Sequence, residues 1–189
     1  MKGVTVKLGR IAIVGFLFVI SIVPGFISTA HAQEGDTPTP RHCLSFNPIL
    51  AMFTWWNAEY AFRLSNNSTI GIAGSYIAFS DEDTGDDTYA SGNLFYRYYP
   101  QGDALTGFFF GARFGINYIE VEESEDTGES ESGQAFSFGI DIGYDWLLGE
   151  SRRFYLSAGI GAVRLFGGDL EDAAGTLPTI RLVNIGVAF

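Results

Sequence analysis

The chain has 189 residues, a formal net charge of -11 and only 11 Lys and Arg. That length suits one domain, and the acidity argues against a nucleic-acid partner, which needs a basic surface. Gly is frequent, at 24 residues, and aromatic residues make up 15%; Gly weakens helices and aromatics favour strands, so the composition leans to β structure.

The amino terminus reads as an export signal. Lys2, Lys7 and Arg10 form a positive region ahead of an apolar run over 11–23. That run is shorter than the roughly 20 residues a membrane-spanning helix needs. Pro24 and Gly25 break it, and Ala30 and Ala32 stand at the cleavage positions. Residues 1–32 are expected to be a cleaved signal peptide, which leaves Gln33 at the mature terminus. No Cys stands beside that position, which argues against a lipoprotein. Residues 33–42, with Pro38 and Pro40, read as a flexible lead-in, and 43–189 as the folded domain. Cys43 is the only Cys, so no intramolecular disulfide forms; it reads as a small, partly buried apolar residue.

Beyond residue 40 there is no helical stripe. Runs with a period of two alternate with turn signals, which is the pattern of strands with two unlike faces. The first predicted strand covers 44–53 (LSFNPILAMF), where Pro48 removes a ladder hydrogen bond and implies a bulge or edge distortion. The second covers 55–64 and sets Trp56, Ala58, Tyr60, Phe62 and Leu64 against Asn57, Glu59, Ala61 and Arg63. SNNS at 65–68 is a tight turn. The third strand covers 69–79, followed by an acidic loop at 80–87 (SDEDTGDD). The fourth covers 88–99, with Leu94, Tyr96 and Tyr98 opposite Ser91, Asn93 and Arg97. PQGDAL at 100–105 is a short turn.

The fifth strand, 106–121, places Phe108, Phe110, Phe114, Ile116 and Tyr118 on one face and Gly111, Arg113, Gly115 and Asn117 on the other. Residues 122–133 (EESEDTGESESG) have no apolar member and read as a loop. The sixth strand, 134–148, alternates most cleanly, with Phe136, Phe138, Ile140, Ile142, Tyr144, Trp146 and Leu148 against Ala135, Ser137, Gly139, Asp141, Gly143 and Asp145. After a turn at 149–152, the seventh strand covers 153–165 and a loop covers 166–177. The eighth, 178–189 (PTIRLVNIGVAF), alternates Arg181, Val183, Ile185, Val187 and Phe189 with Leu182, Asn184, Gly186 and Ala188. The predicted fold is all-β, an antiparallel up-and-down barrel of about eight strands.

The apolar faces are dense in Phe, Ile, Leu and Tyr, whereas the opposite faces carry Gly, Ala, Ser and Asn with isolated charges. A water-facing sheet exterior would carry more Lys, Glu and Thr. Small residues suit the crowded inside of a narrow barrel, and the bulky face suits lipid. Connections two, four and six are short, while three, five and seven are long and acidic. That asymmetry matches short periplasmic turns and longer external loops. The first hairpin, near Thr54, reads as tighter than the others on its side. Tyr98, Trp146, Phe154 and Phe189 fall near one set of strand ends and Tyr76, Tyr89 and Tyr118 near the other, as two aromatic belts would.

With its alternating last strand ending on Phe189, the chain over 43–189 resembles the small bacterial outer-membrane β-barrels of the OmpA and OmpX type. The resemblance implies a monomeric, porin-like cell-envelope protein of Gram-negative bacteria, integral to the outer membrane. It implies Phe189 as the assembly signal, read by the barrel assembly machinery after periplasmic chaperones deliver the chain. Outer-membrane lipid and lipopolysaccharide are the implied surroundings. With Phe189 ending the chain, no peptidoglycan-binding domain is expected to follow the barrel, unlike full-length OmpA proteins. A soluble lipocalin-like barrel is the alternative with the faces reversed.

The inward set contains Glu59, Arg63, Arg97, Arg113, Asp141 and Asp145. Buried charges persist when paired, so these six are expected to form a network that closes the lumen; a gated ion path is the alternative. Asp81, Asp83, Asp86 and Asp87 form a weak candidate site for a divalent cation, without the spacing or terminal Glu of an EF-hand. The rest of the acid, including Glu122, Glu123, Glu125, Asp126, Glu129 and Glu131, reads as solvated loop. An enzyme is not expected: His31 leaves with the signal peptide, His42 sits in the lead-in as an incidental polar residue, and no Ser–His–carboxylate set can be built in the wall. No cofactor is implied. Two function classes follow. One is a structural or surface-interaction protein with acidic external loops; the other is a narrow channel or carrier for ions or small hydrophobic solutes, as in OmpW-type barrels.

Overall fold

Strands of alternating bulky and small residues can bury only one face each, and eight of them bury it together by closing on themselves. A computed structural model of the chain describes residues 39–81, 85–122, 130–167 and 176–189. The strands are β1 (His42–Phe46), β2 (Trp56–Ser65), β3 (Ser68–Asp81), β4 (Gly85–Tyr98), β5 (Gly107–Glu122), β6 (Ser130–Leu148), β7 (Phe154–Phe166) and β8 (Thr176–Ala188). Each pairs antiparallel with its sequence neighbours, and β1 pairs with β8 to shut an eight-stranded barrel. The leader and most of the lead-in, residues 1–38, lie outside the described residues.

The ladder places the two faces without ambiguity. Leu44, Ile72, Leu94, Phe114, Phe138, Ile140 and Ile160 are exposed outside, whereas Cys43, Glu59, Phe95, Arg97, Asn117, Ser137, Asp141 and Asp145 are buried inside. Both chain ends and the turns 66–67, 99–106 and 149–153 share one end of the barrel. There Arg41 and His42 N–H groups donate to Phe189 O at 3.0 and 2.9 Å, and Tyr99 N–H donates to Asn67 O at 2.8 Å.

The structure departs from the sequence reading in five places. The first strand does not run to 53. It stops at Phe46, and Pro48–Ala51 form a helical turn, α1. Asn47 caps it, its Oδ1 accepting from Leu50 N–H at 3.0 Å, and Pro48 fits the first helical position because its missing N–H has no partner there anyway. The first connection is therefore not tight. Secondly, the acidic segments are largely strand: Asp87 pairs with Phe79 and Glu120 with Ser132 in continuous ladders. Edge charges stay solvated beyond the wall while the backbone keeps pairing, so polarity alone did not mark a loop. Thirdly, His42 belongs to β1. Fourthly, Tyr89 is not part of an outer aromatic belt; its hydroxyl donates to Asn117 Oδ1 at 2.8 Å on the inner face.

The fifth departure lies in β8. Ser157 pairs with Asn184, but Gly159 pairs with Arg181, so β8 has one extra residue between them. Such a bulge breaks the period of two. Arg181 is consequently out of step with Val183, Ile185, Val187 and Phe189, with which strict alternation had grouped it.

Candidate functional site: the barrel lumen

Small residues on the inner face leave room for a few large side chains, and these stack along the axis. Gly71 shows the fit. A Cβ there would collide with Tyr60 O and the Phe95 ring, so only Gly lets Phe95 lie across the interior. Arg97 lies beside it, fully buried, with its guanidinium carbon 4.2 Å from the Phe95 ring centroid and 5.0 Å from that of Phe109. Its Nη2 donates to Glu59 Oε2 at 2.6 Å. A guanidinium between two ring faces and a carboxylate regains in the dry interior part of the solvation it lost.

The other inward charges are distributed as follows. Arg113 Nη2 donates to Asp141 Oδ2 at 3.2 Å. Asp145 is fully buried and accepts from the Tyr99 hydroxyl at 2.7 Å. Arg63 does not join the inner set; it reaches past the strand end to Asp103 Oδ1 at 2.8 Å and also donates to Ala104 O at 2.5 Å. Asp103, in the turn 99–106, holds a second cation: Arg152 Nη2 donates to its Oδ2 at 2.7 Å and to Thr106 Oγ1 at 3.1 Å. Sequence periodicity missed Asp103, Arg152 and Tyr99 because turn residues have no face to be read from. The one usable signal was an isolated Asp between two Arg-bearing turns at the same end of the barrel.

Tyr99, Ala104, Leu105 and Phe109 are completely buried. Leu105 packs with Cys43, Ala61, Phe95 and Tyr155. The turn 99–106 thus folds into the mouth of the barrel and fills it. Toward the other end the inner face becomes lighter, with Ala135, Val163 and Leu165 forming an apolar cluster. Trp55 Nε1–H donates to Ser75 Oγ at 2.5 Å.

Of the candidate cation ligands, Asp83 lies outside the described residues. Asp81, Asp86 and Asp87 sit in the β3–β4 ladder, opposite Gly85, Ser80 and Phe79. Asp86 and Asp87 are successive strand positions, which alternate between faces, so they do not converge on one ion. Among the described residues no three or more His, Cys, Asp or Glu group to hold a metal. His42 lies at the closing seam beside Phe189, with ring centroids 5.4 Å apart, and away from the buried charges.

On the outer wall Ala58, Gly74 and Gly92 stand side by side on β2, β3 and β4. With Tyr60, Ile72, Leu94 and Phe114 they line an open apolar groove of about 640 Å³. A Cβ on Gly92 would meet nothing within 4 Å, so these small residues serve no packing within the chain.

The family described as "Protein of unknown function (DUF3575)" matches residues 18–167. No curated protein matches. Among solved structures, the chain is similar to the N-terminal β-barrel domain of Pseudomonas aeruginosa OprF. The two share 11% identity, the match covers 80% of this chain and 98% of that one, and the TM-score is 0.47.

Proposed function

We propose that this chain, which belongs to the DUF3575 family, is a non-enzymatic integral β-barrel of the bacterial outer membrane with a structural or surface-interaction role. The observation that carries the reading is the inversion of its two faces. Ile72 and Ile140 stand 61% and 62% exposed on the outside, while Arg97 and Asp145 are 1% and 0% exposed inside. In water the outer band would be a large uncovered apolar patch. In hydrocarbon it is solvated by acyl chains, and the closed ladder satisfies the backbone. A lipocalin-like barrel needs the reverse arrangement.

Several features support the placement. The strands β3 to β8 have 13 to 19 residues, more than the roughly 9–11 that cross a bilayer at a tilt. The end bearing the short turns and both termini suits the periplasm, and the end with the acidic connections suits the outside. On this reading residues 1–32 direct export, Phe189 serves as the assembly signal for the barrel machinery, and the protein works as a monomer without a cofactor. The channel or carrier reading requires a continuous lumen, and the buried Leu105, Tyr99 and Phe109 weigh against it.

Fractionation of the native envelope, followed by gel electrophoresis with and without boiling, tests the reading. The expected result is recovery with outer-membrane fractions and a shift in mobility on heating. A protein that stays in aqueous solution without detergent overturns it.

A further inference from the structure

The turn 99–106 differs from the other turns at its end of the barrel. It enters the mouth, and it does so against its own backbone preference. Leu105 has φ of +71° and Arg152 has φ of +49°, a left-handed region costly for side chains with a Cβ. Leu105 is the residue driven furthest inside, and Arg152 is one of the two cations that hold the turn down. Asp103 joins the two parts. One carboxylate oxygen takes Arg63 from the β2 end and the other takes Arg152 from the β6–β7 turn. These pairs are not deep: the Asp103 side chain is 40% exposed and that of Arg152 29%. A strained wedge held by partly hydrated charges is a device with two positions.

We propose that the β4–β5 turn is a displaceable stopper for this mouth of the barrel, latched by Asp103 to Arg63 and Arg152. Release of the latch lets Leu105 and Ala104 swing out while the strand ladder and the Glu59–Arg97 pair stay in place. The first inner surface uncovered is the one Leu105 packs against, which includes Cys43. The inference stands on the barrel geometry alone and does not depend on the membrane reading.

Cys43 is the only cysteine, so it reports the stopper directly. The experiment measures the rate at which a small thiol reagent, N-ethylmaleimide, labels Cys43 in full-length folded protein held in detergent micelles. Asp103→Asn, which keeps the shape and loses both ion pairs, is expected to label at least about tenfold faster than wild type. Glu150→Gln, which removes one negative charge from the neighbouring turn, is expected to label at the wild-type rate. A maleimide bearing a bulky polymer, too large for the mouth, is expected to label all three equally slowly, which separates local opening from unfolding.

Wild-type labelling by the small reagent is also expected to rise several-fold between about 0.05 and 1 M NaCl, because salt screens partly exposed pairs. A folded Asp103→Asn protein that labels no faster than wild type overturns the proposal, as does equal acceleration by Glu150→Gln. If Asp103→Asn does not fold, a wild-type rate that is flat with salt overturns it.

Discussion

His42 stacks on Phe189 across the seam between β1 and β8, with ring centroids 5.4 Å apart and planes inclined by 18°. The same two residues exchange backbone hydrogen bonds, His42 N–H to Phe189 O and Phe189 N–H to His42 O, both at 2.9 Å. Tyr60 is joined to His42 Nδ1 through its hydroxyl at 2.6 Å. The last residue of the chain is thus tied to the first strand at the place where the barrel closes. Aromatic pairs contribute about 0.5–1.5 kcal/mol beyond their area. Phe189→Ala and His42→Ala are each expected to lower stability by about 1 kcal/mol and to lower the yield of heat-modifiable protein, whereas His42→Phe keeps the stack and most of the yield. Urea titration in detergent micelles reads both effects; His42→Ala indistinguishable from wild type would remove the seam from consideration.

The Glu59–Arg97 pair is expected to behave as a buried ion pair. Removing one partner leaves a charge without compensation, at a cost of about 3–5 kcal/mol. Arg97→Met alone and Glu59→Gln alone should each be strongly destabilising, and Glu59→Leu with Arg97→Met should recover much of the loss. A double-mutant cycle on urea midpoints measures this. Additive losses would show that the two side chains do not stabilise one another.

Tyr99→Phe deletes the one hydroxyl that donates to the fully buried Asp145. An unsatisfied buried acceptor costs about 1–3 kcal/mol. The loss should disappear when Asp145→Leu is made in the same chain, since no acceptor then remains. Tyr99→Phe as stable as wild type would mean that another donor serves Asp145.

Two glycines on adjacent strands should respond in opposite ways. Gly71→Ala forces a Cβ against Tyr60 O and the Phe95 ring, an overpacking expected to cost about 1–3 kcal/mol and to slow refolding into detergent. Gly92→Ala adds its methyl to open space on the outer wall, and should be neutral within about 0.5 kcal/mol. If Gly92→Ala were the more damaging of the two, the inward and outward faces would have been assigned the wrong way round.

Much of the barrel was legible because its rule is local. A period of two survives wherever successive side chains meet unlike surroundings, and 134–148 kept it from Ala135 to Leu148. The inner position of Glu59, Arg97, Arg113, Asp141 and Asp145 followed from the same count. Where the period failed, a single residue was responsible: the extra residue in β8 moved Arg181 out of step, and Asn47 with Pro48 turned the expected first strand into a helical turn. Neither leaves a mark in alternation, since bulges and caps are settled by hydrogen bonds between segments.

The sequence by itself determined the antiparallel, two-faced strands, their inner and outer sets and their near-complete order, because each depends on neighbours along the chain. Only the tertiary structure decided which charges meet. Arg97 meets Glu59 across 38 residues and Arg63 meets Asp103 across 40, pairings set by strand register and by the inward fold of one turn. It also decided that the mouth is filled by Leu105 and that His42 closes on Phe189. Contacts between turns and termini have no periodicity, so they exist only once the cylinder has closed.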